Sequence, residues 1–227
     1  MSKENIILNR REPNSELIKL LNNSQLIIAK NTVNIAYEQV EVFFKNKVPD
    51  FLIKNPRWRK LIPECKNIAT EYFLMSACDK GLLPLSYSIC ENYGKTGDYV
   101  QFKFKKNDCV LTVNQVRSKK NSSRNALFRK EMREQFNSRL NLYSEDEPYC
   151  DNMLKYYVEL CHGYQSIKPQ FVTFGIPDND NRWISYIDIQ SPFLRTSKGE
   201  EKDIQTSIKD ISDFNNKRFE SFIFKNR

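Results

Sequence analysis

The residues with the most reactive chemistry in this chain stand side by side, at Cys161 and His162, and His162 is the only histidine. A thiolate nucleophile needs a base that faces it. The apolar spacing of Leu154, Tyr157, Val158 and Cys161 predicts a helix capped by Asp151 and ended near Gly163. Neighbours on a helix do not face each other, so the pair makes no nucleophilic couple there. His162 is read instead as a structural hydrogen-bonding residue. The six cysteines, Cys65, Cys78, Cys90, Cys109, Cys150 and Cys161, include no Cys-x-x-Cys. They read as reduced thiols, several of them buried, and their spacing supplies no metal-ligand set. Asp178 and Asp180 fit turn chemistry, and Asp188 falls within a strand pattern. Six scattered glycines exclude the glycine-rich phosphate loops.

What remains is charge. Residues 99–137 hold ten Lys/Arg against three Asp/Glu, a net of +7, while the whole chain carries +8. Such a concentration points to a polyanion. The candidate contact residues are Lys103, Lys105, Lys106, Arg117, Lys119, Lys120, Arg124 and Arg129, with Tyr99 as a base-stacking side chain. Phe102, Phe104 and Phe128 alternate with charge and are assigned to the core.

The elements that position these residues follow from patterning. Val100, Phe102 and Phe104 alternate with Gln101, Lys103 and Lys105, which predicts a strand with its lysines on one face. Val110 to Val116 predicts a second, more central strand, joined to the first through Lys106-Asn107-Asp108. A basic loop, Ser118 to Ser123, leads to a helix capped by Ser122 or Ser123, with Leu127, Phe128, Met132 and Phe136 inward. Residues 170–176 and 183–189 predict a second hairpin about a turn at 177–181. Upstream, a helix capped by Ser15 and a second capped by Asn31-Thr32 are expected. A firmer helix runs from Glu64 to Lys80, with Pro63 before it and Gly81 after it. The YSIC end of 82–90 reads as an edge strand. Residues 138–150 read as a linker with the acidic cluster Glu145-Asp146-Glu147. A further helix is expected over Asp203 to Phe214, with Phe219, Phe222 and Phe224 packing back on the body.

The expected fold class is α+β: a mixed sheet built from two hairpins, about 99–117 and 170–189, flanked by helices. A helical N-terminal region, 1–63, packs on the main domain, 64–227. Hydrophobic content of 40% and charged content of 28% are those of a globular chain able to bury a sizeable core. No apolar run reaches membrane-spanning length, and 1–16 lack a signal-type stretch, so a cytoplasmic protein without membrane association is expected.

The order helix, strands, helix, strands from about Glu64 to Gln190 resembles nuclease domains of the restriction-endonuclease type. The resemblance implies an Asp on one strand and a Glu-x-Lys or Asp-x-Lys on the next, holding Mg²⁺. Asp98 matches the first carboxylate. The next strand offers Asn114, Gln115, Val116 and Arg117, with Lys119 just beyond, and no second carboxylate. Glu64 and Glu71 are further acids with no partner assigned. The reading is therefore a non-catalytic nucleic-acid-binding protein, DNA or RNA, needing no cofactor or metal. The alternatives are a protein-interaction module, inhibitor or antitoxin-like, docking on an acidic partner, and a degenerate or rearranged nuclease of the resembled type.

Overall fold

The computed structural model describes residues 15–46, 49, 54–92, 95, 97–124, 126–137, 156–163 and 166–190. The chain opens with α1, Ser15–Leu20, and α2, Asn23–Asn46. The break between them is set by Asn22. Its Oδ1 accepts the Gln25 N–H at 2.9 Å, and Gln25 Oε1 accepts the Asn22 N–H at 3.0 Å. This reciprocal cap starts α2. The expected cap at Asn31-Thr32 is not used. Thr32 lies inside α2, buried, and its hydroxyl donates back to Ile28 O at 2.7 Å.

A 3₁₀ turn, Pro56–Lys60, leads into α3, Leu61–Asp79. Pro63 sits in the first turn of α3, where its missing N–H costs nothing. Gly81 follows with φ +70°, and the Leu82 N–H reaches back to Ala77 O at 2.9 Å. That is a left-handed glycine stop, as the sequence predicts.

Six strands form one sheet in the order β1 to β6: β1 Leu85–Glu91, β2 Asp98–Phe104, β3 Val110–Val116, β4 Tyr157–Gly163, β5 Val172–Pro177 and β6 Trp183–Asp188. All neighbours are antiparallel except β3 and β4, which are parallel. A parallel pair needs a crossover. Here it runs through α4, Leu127–Met132, and a π turn, Arg133–Asn137. The α+β class and mixed sheet agree with the sequence reading, and β1 is the expected edge strand.

One face of the sheet carries Leu111, Val113, Val158, Leu160, Val172 and Phe174 against α1, α2 and α3 in a single apolar core. The other face carries Val110 and Tyr157 against Phe128, Met132 and Phe136 of α4 and its π turn. Phe102 and Phe104 enter the core while Lys103 and Lys105 stay exposed, as alternation requires.

Three expectations are corrected. Tyr157–Gly163 is a strand buried at every residue, not part of a helix capped by Asp151. A central parallel strand is covered on both faces, so its sequence lacks alternation and mimics a helix stripe. Ser122 and Ser123 do not cap α4. Ala126 holds that position without a side-chain hydrogen bond, and both serines are buried in a polar network. Leu127 is 56% exposed rather than inward. The expectations for 1–14, 138–155 and 191–227 lie outside the described residues.

Candidate nucleic-acid interface

The basic segment is anchored by a buried ion pair. Glu159 on β4 and Arg133 in the π turn are both fully buried, with Arg133 Nη2 2.8 Å from Glu159 Oε1. An unpaired carboxylate at such depth would cost several kcal/mol, so donors must converge on it. They do: the Ser123 N–H at 2.8 Å, the Ser123 hydroxyl at 2.9 Å and the Tyr157 hydroxyl at 3.1 Å. Arg133 also donates to Asn181 Oδ1 and to Ser123 O, each at 2.8 Å. The network therefore ties β4, the π turn, the 118–124 loop and the β5–β6 turn together. Asn137 adds three bonds, to Tyr157 N, Tyr157 O and Pro177 O.

A second chain of bonds crosses the parallel pair. The Asn114 amide donates to Thr112 Oγ1 at 3.0 Å, and Thr112 meets the Tyr157 hydroxyl at 2.7 Å. Arg129 Nη1 donates to Asn114 Oδ1 at 2.9 Å, and its Nε donates to Arg124 O at 3.0 Å. Asn114 is thus a buried bracket for α4. At the position where the resembled nucleases carry a second carboxylate, its oxygen is already occupied by a guanidinium.

The ten cations of 99–137 divide by this geometry. Arg133 is the buried structural one. Lys119 pairs with Asp188 at 3.0 Å, and Lys130 with Glu134 at 3.7 Å. Arg129 is half-buried and held as described; Arg117 is exposed. Lys103, Lys105, Lys106, Lys120 and Arg124 are exposed and have no ion pair among the described residues. Lys103 pairs in register with Val110, so its side chain leaves the sheet on the α4 side. Lys120 and Arg124 belong to the loop that crosses the same side, held there by Ser123 on Glu159 and by Trp183 Nε1 on Lys119 O at 3.0 Å. The free cations therefore occupy two places on one side of the sheet: the β2–β3 end and the loop before α4. They are not one cluster.

Between these places Tyr99 stacks on Phe128, with centroids 4.1 Å apart and planes 21° apart, and Arg129 lies 4.8 Å from the Phe128 centroid. Both aromatic side chains are half-buried. Beside this column, β1 and β2 present Ser86, Ser88, Cys90, Gln101 and Lys103 on the α4 side, a polar shelf of exposed and half-exposed side chains.

The reactive pair of the sequence is separated by the strand. Cys161 lies on the α4 side, its thiol pushed well up by burial and by Glu159. His162 lies on the helical side, its Nδ1 2.8 Å from the Tyr37 hydroxyl. Tyr37 donates to Gly163 O, so His162 carries its proton on Nδ1. Its Nε2 has no hydrogen-bond partner among the described residues. Burial lowers this imidazole to about 3. A neutral thiol and so weak a base do not constitute a nucleophilic couple. Lys66, also buried, pairs with Glu41 at 3.2 Å and stands 4.7 Å from the Tyr37 centroid. Asp98 is exposed and stands opposite Glu91. Glu71, half-buried on α3, is raised to about 8 by burial and by Glu64. Among the described residues no three His, Cys, Asp or Glu side chains form a metal-holding group, and no helix is long and apolar enough to cross a membrane.

Sequence reasoning missed Glu159, Arg133 and Tyr37 as organising residues. A signal was present: an acid inside the apolar run Tyr156 to Cys161 requires a buried cation. Comparison with protein-family models, with curated proteins and with solved structures finds no match for the chain.

Proposed function

We propose that the α4 side of the sheet is a non-catalytic surface for nucleic acid. One contrast carries this reading. The buried cations Arg133 and Lys66 are neutralised by Glu159 and Glu41, whereas Lys103, Lys105, Lys106, Lys120 and Arg124 face solvent with no ion pair among the described residues. Lysines and arginines left unpaired on one side of a rigid sheet supply phosphate contacts at little desolvation cost. Tyr99, stacked from within by Phe128, is preorganised to offer a ring to an unpaired base.

The reading is tested by gel shift with single- and double-stranded DNA and RNA. Lys103→Glu/Lys105→Glu/Lys106→Glu should weaken binding at least about 100-fold at low salt, since each phosphate contact is replaced by a repulsion. Tyr99→Ala should weaken single-stranded binding by about 1–3 kcal/mol and leave duplex binding unchanged. Undiminished binding in the triple variant would reject the surface. An acidic protein is the competing partner for the same lysines. Capture that survives nuclease treatment of a lysate, with no binding to purified nucleic acid, would favour it.

A further inference from the structure

Among the described residues nothing pairs with the outer edge of β1. Two hydrogen bonds fix the phase of this strand. Lys105 N–H donates to Pro84 O at 3.0 Å, and Asn92 N–H to Gly97 O at 2.9 Å. Inward-bonded residues alternate along an antiparallel ladder. Pro84, Ser86, Ser88, Cys90 and Asn92 therefore turn their backbone groups toward β2, and Leu85, Tyr87, Ile89 and Glu91 turn theirs outward. The register with β2 is continuous from Leu85↔Phe104 to Glu91↔Asp98, without a bulge. The strand holds no Lys and no Pro, the usual means of blocking an edge. Ile89 is 57% exposed upon it.

We propose that β1 pairs with β1 of a second copy of this chain, antiparallel about a twofold axis at Ser88. In that register Tyr87 of each copy meets Ile89 of the other, and Leu85 meets Glu91, all through outward-facing backbone groups. The four pairs supply about eight N–H···O bonds. Ser88 meets its own mate in a non-hydrogen-bonded pair, where a small side chain fits the close approach. The exposed Ile89 is covered by Tyr87, whose ring is already braced 6.4 Å from Phe102.

Charge selects the second copy over an unrelated strand. The acidic end of the edge, Glu91 with Asp98, comes to lie beside the opposite end of the other copy, where Lys103 and Lys105 stand. The 6-stranded sheet becomes continuous across the axis. The Ser86–Ser88–Cys90 faces of the two copies then join into one polar floor between two α4 helices. That this floor receives nucleic acid rests on the reading above; the dimer itself does not.

Sedimentation equilibrium of the full chain should show a monomer–dimer equilibrium with a dissociation constant in about the micromolar range, as a small interface implies. Under mild oxidation Ser88→Cys should give a covalent dimer above the parent's level, because the Cα separation of such a pair, about 4.5 Å, suits a disulfide. Ser86→Cys should crosslink to Cys90 of the second copy and lose that crosslink when Cys90→Ser is added. Ile89→Pro removes one outward N–H per copy and should weaken association at least about 30-fold while keeping the parent's circular dichroism. A dimer in which Ser88→Cys fails to crosslink would overturn the register, and the proposal with it. A chain monomeric at every concentration that still binds nucleic acid would overturn the dimer and leave the basic surface standing.

Discussion

Replacing Glu159 by Leu isolates the Arg133 guanidinium inside the protein. Both partners have no exposed side-chain surface, and their contact is 2.8 Å. Breaking a buried pair from one side costs about 3–5 kcal/mol, since the remaining charge keeps its desolvation penalty without its counter-ion. The same change strips acceptors from the Ser123 N–H, the Ser123 hydroxyl and the Tyr157 hydroxyl. Arg133 retains Asn181 Oδ1 and Ser123 O, which holds the loss near that range rather than above it. For a chain of 227 residues the melting midpoint should fall by about 6–20 °C. The assay is urea and thermal unfolding of Glu159→Leu, Arg133→Met and the double variant. The double variant should be less destabilised than the two singles added, by at least about 1.5 kcal/mol, because it removes both charges together. Single variants that each lose less than about 1 kcal/mol, with additive effects, would refute the claim that this pair pins the crossover to the sheet.

His162 falls to about 3 when folded against an ordinary 6.5, so the unfolded chain takes up its proton first as pH drops. Stability should decline through that window by up to about 1.4 kcal/mol per pH unit on this account, and His162→Gln should flatten the acid limb of a stability–pH profile. An unchanged slope would exclude His162 as the cause. Glu71 behaves in the opposite sense: it is raised to about 8 from 4.5, so its contribution is lost as pH climbs between those values. Glu71→Gln should accordingly gain more in melting temperature at pH 8 than at pH 5, and an equal shift at both would contradict the assignment. A Cβ at Gly175 would stand 2.6 Å from both Ser185 O and Tyr186 Cβ and 2.8 Å from Trp183 Cε3. Gly175→Ala should therefore cost about 1–3 kcal/mol through displacement of β6, read by chemical denaturation; a neutral result would show that β6 yields freely.

Much of the frame was legible because it obeys local rules. Alternation gives β2, and the lysines fall where the pleat sends them. The Pro63–Gly81 bracket gives α3, and Asp178 accepts the Asp180 and Arg182 N–H groups at 2.8 and 2.7 Å in the expected turn. β4 was not legible. Its polar residues, Glu159 and His162, are satisfied by Arg133 and Tyr37 from distant segments, so local patterning sees only an apolar stripe with interruptions. The serines before α4 failed as caps for the same reason: Glu159 recruits Ser123 from across the sheet. The cationic surface was legible in amount but not in allocation. Nothing local announces that Arg133 is interior, that Lys119 belongs to Asp188, or that Arg129 brackets Asn114.

The central claim is that Lys103, Lys105, Lys106, Lys120 and Arg124 await phosphates. Fluorescence anisotropy of a labelled oligonucleotide across a salt series tests it most directly. With all five engaged, log affinity should fall against log salt with a slope of about −4.5 on duplex DNA or about −3.5 on a single strand, and each Lys→Ala change should reduce the slope by about 0.9 or 0.7. A slope near zero, or one indifferent to these substitutions, would contradict the account.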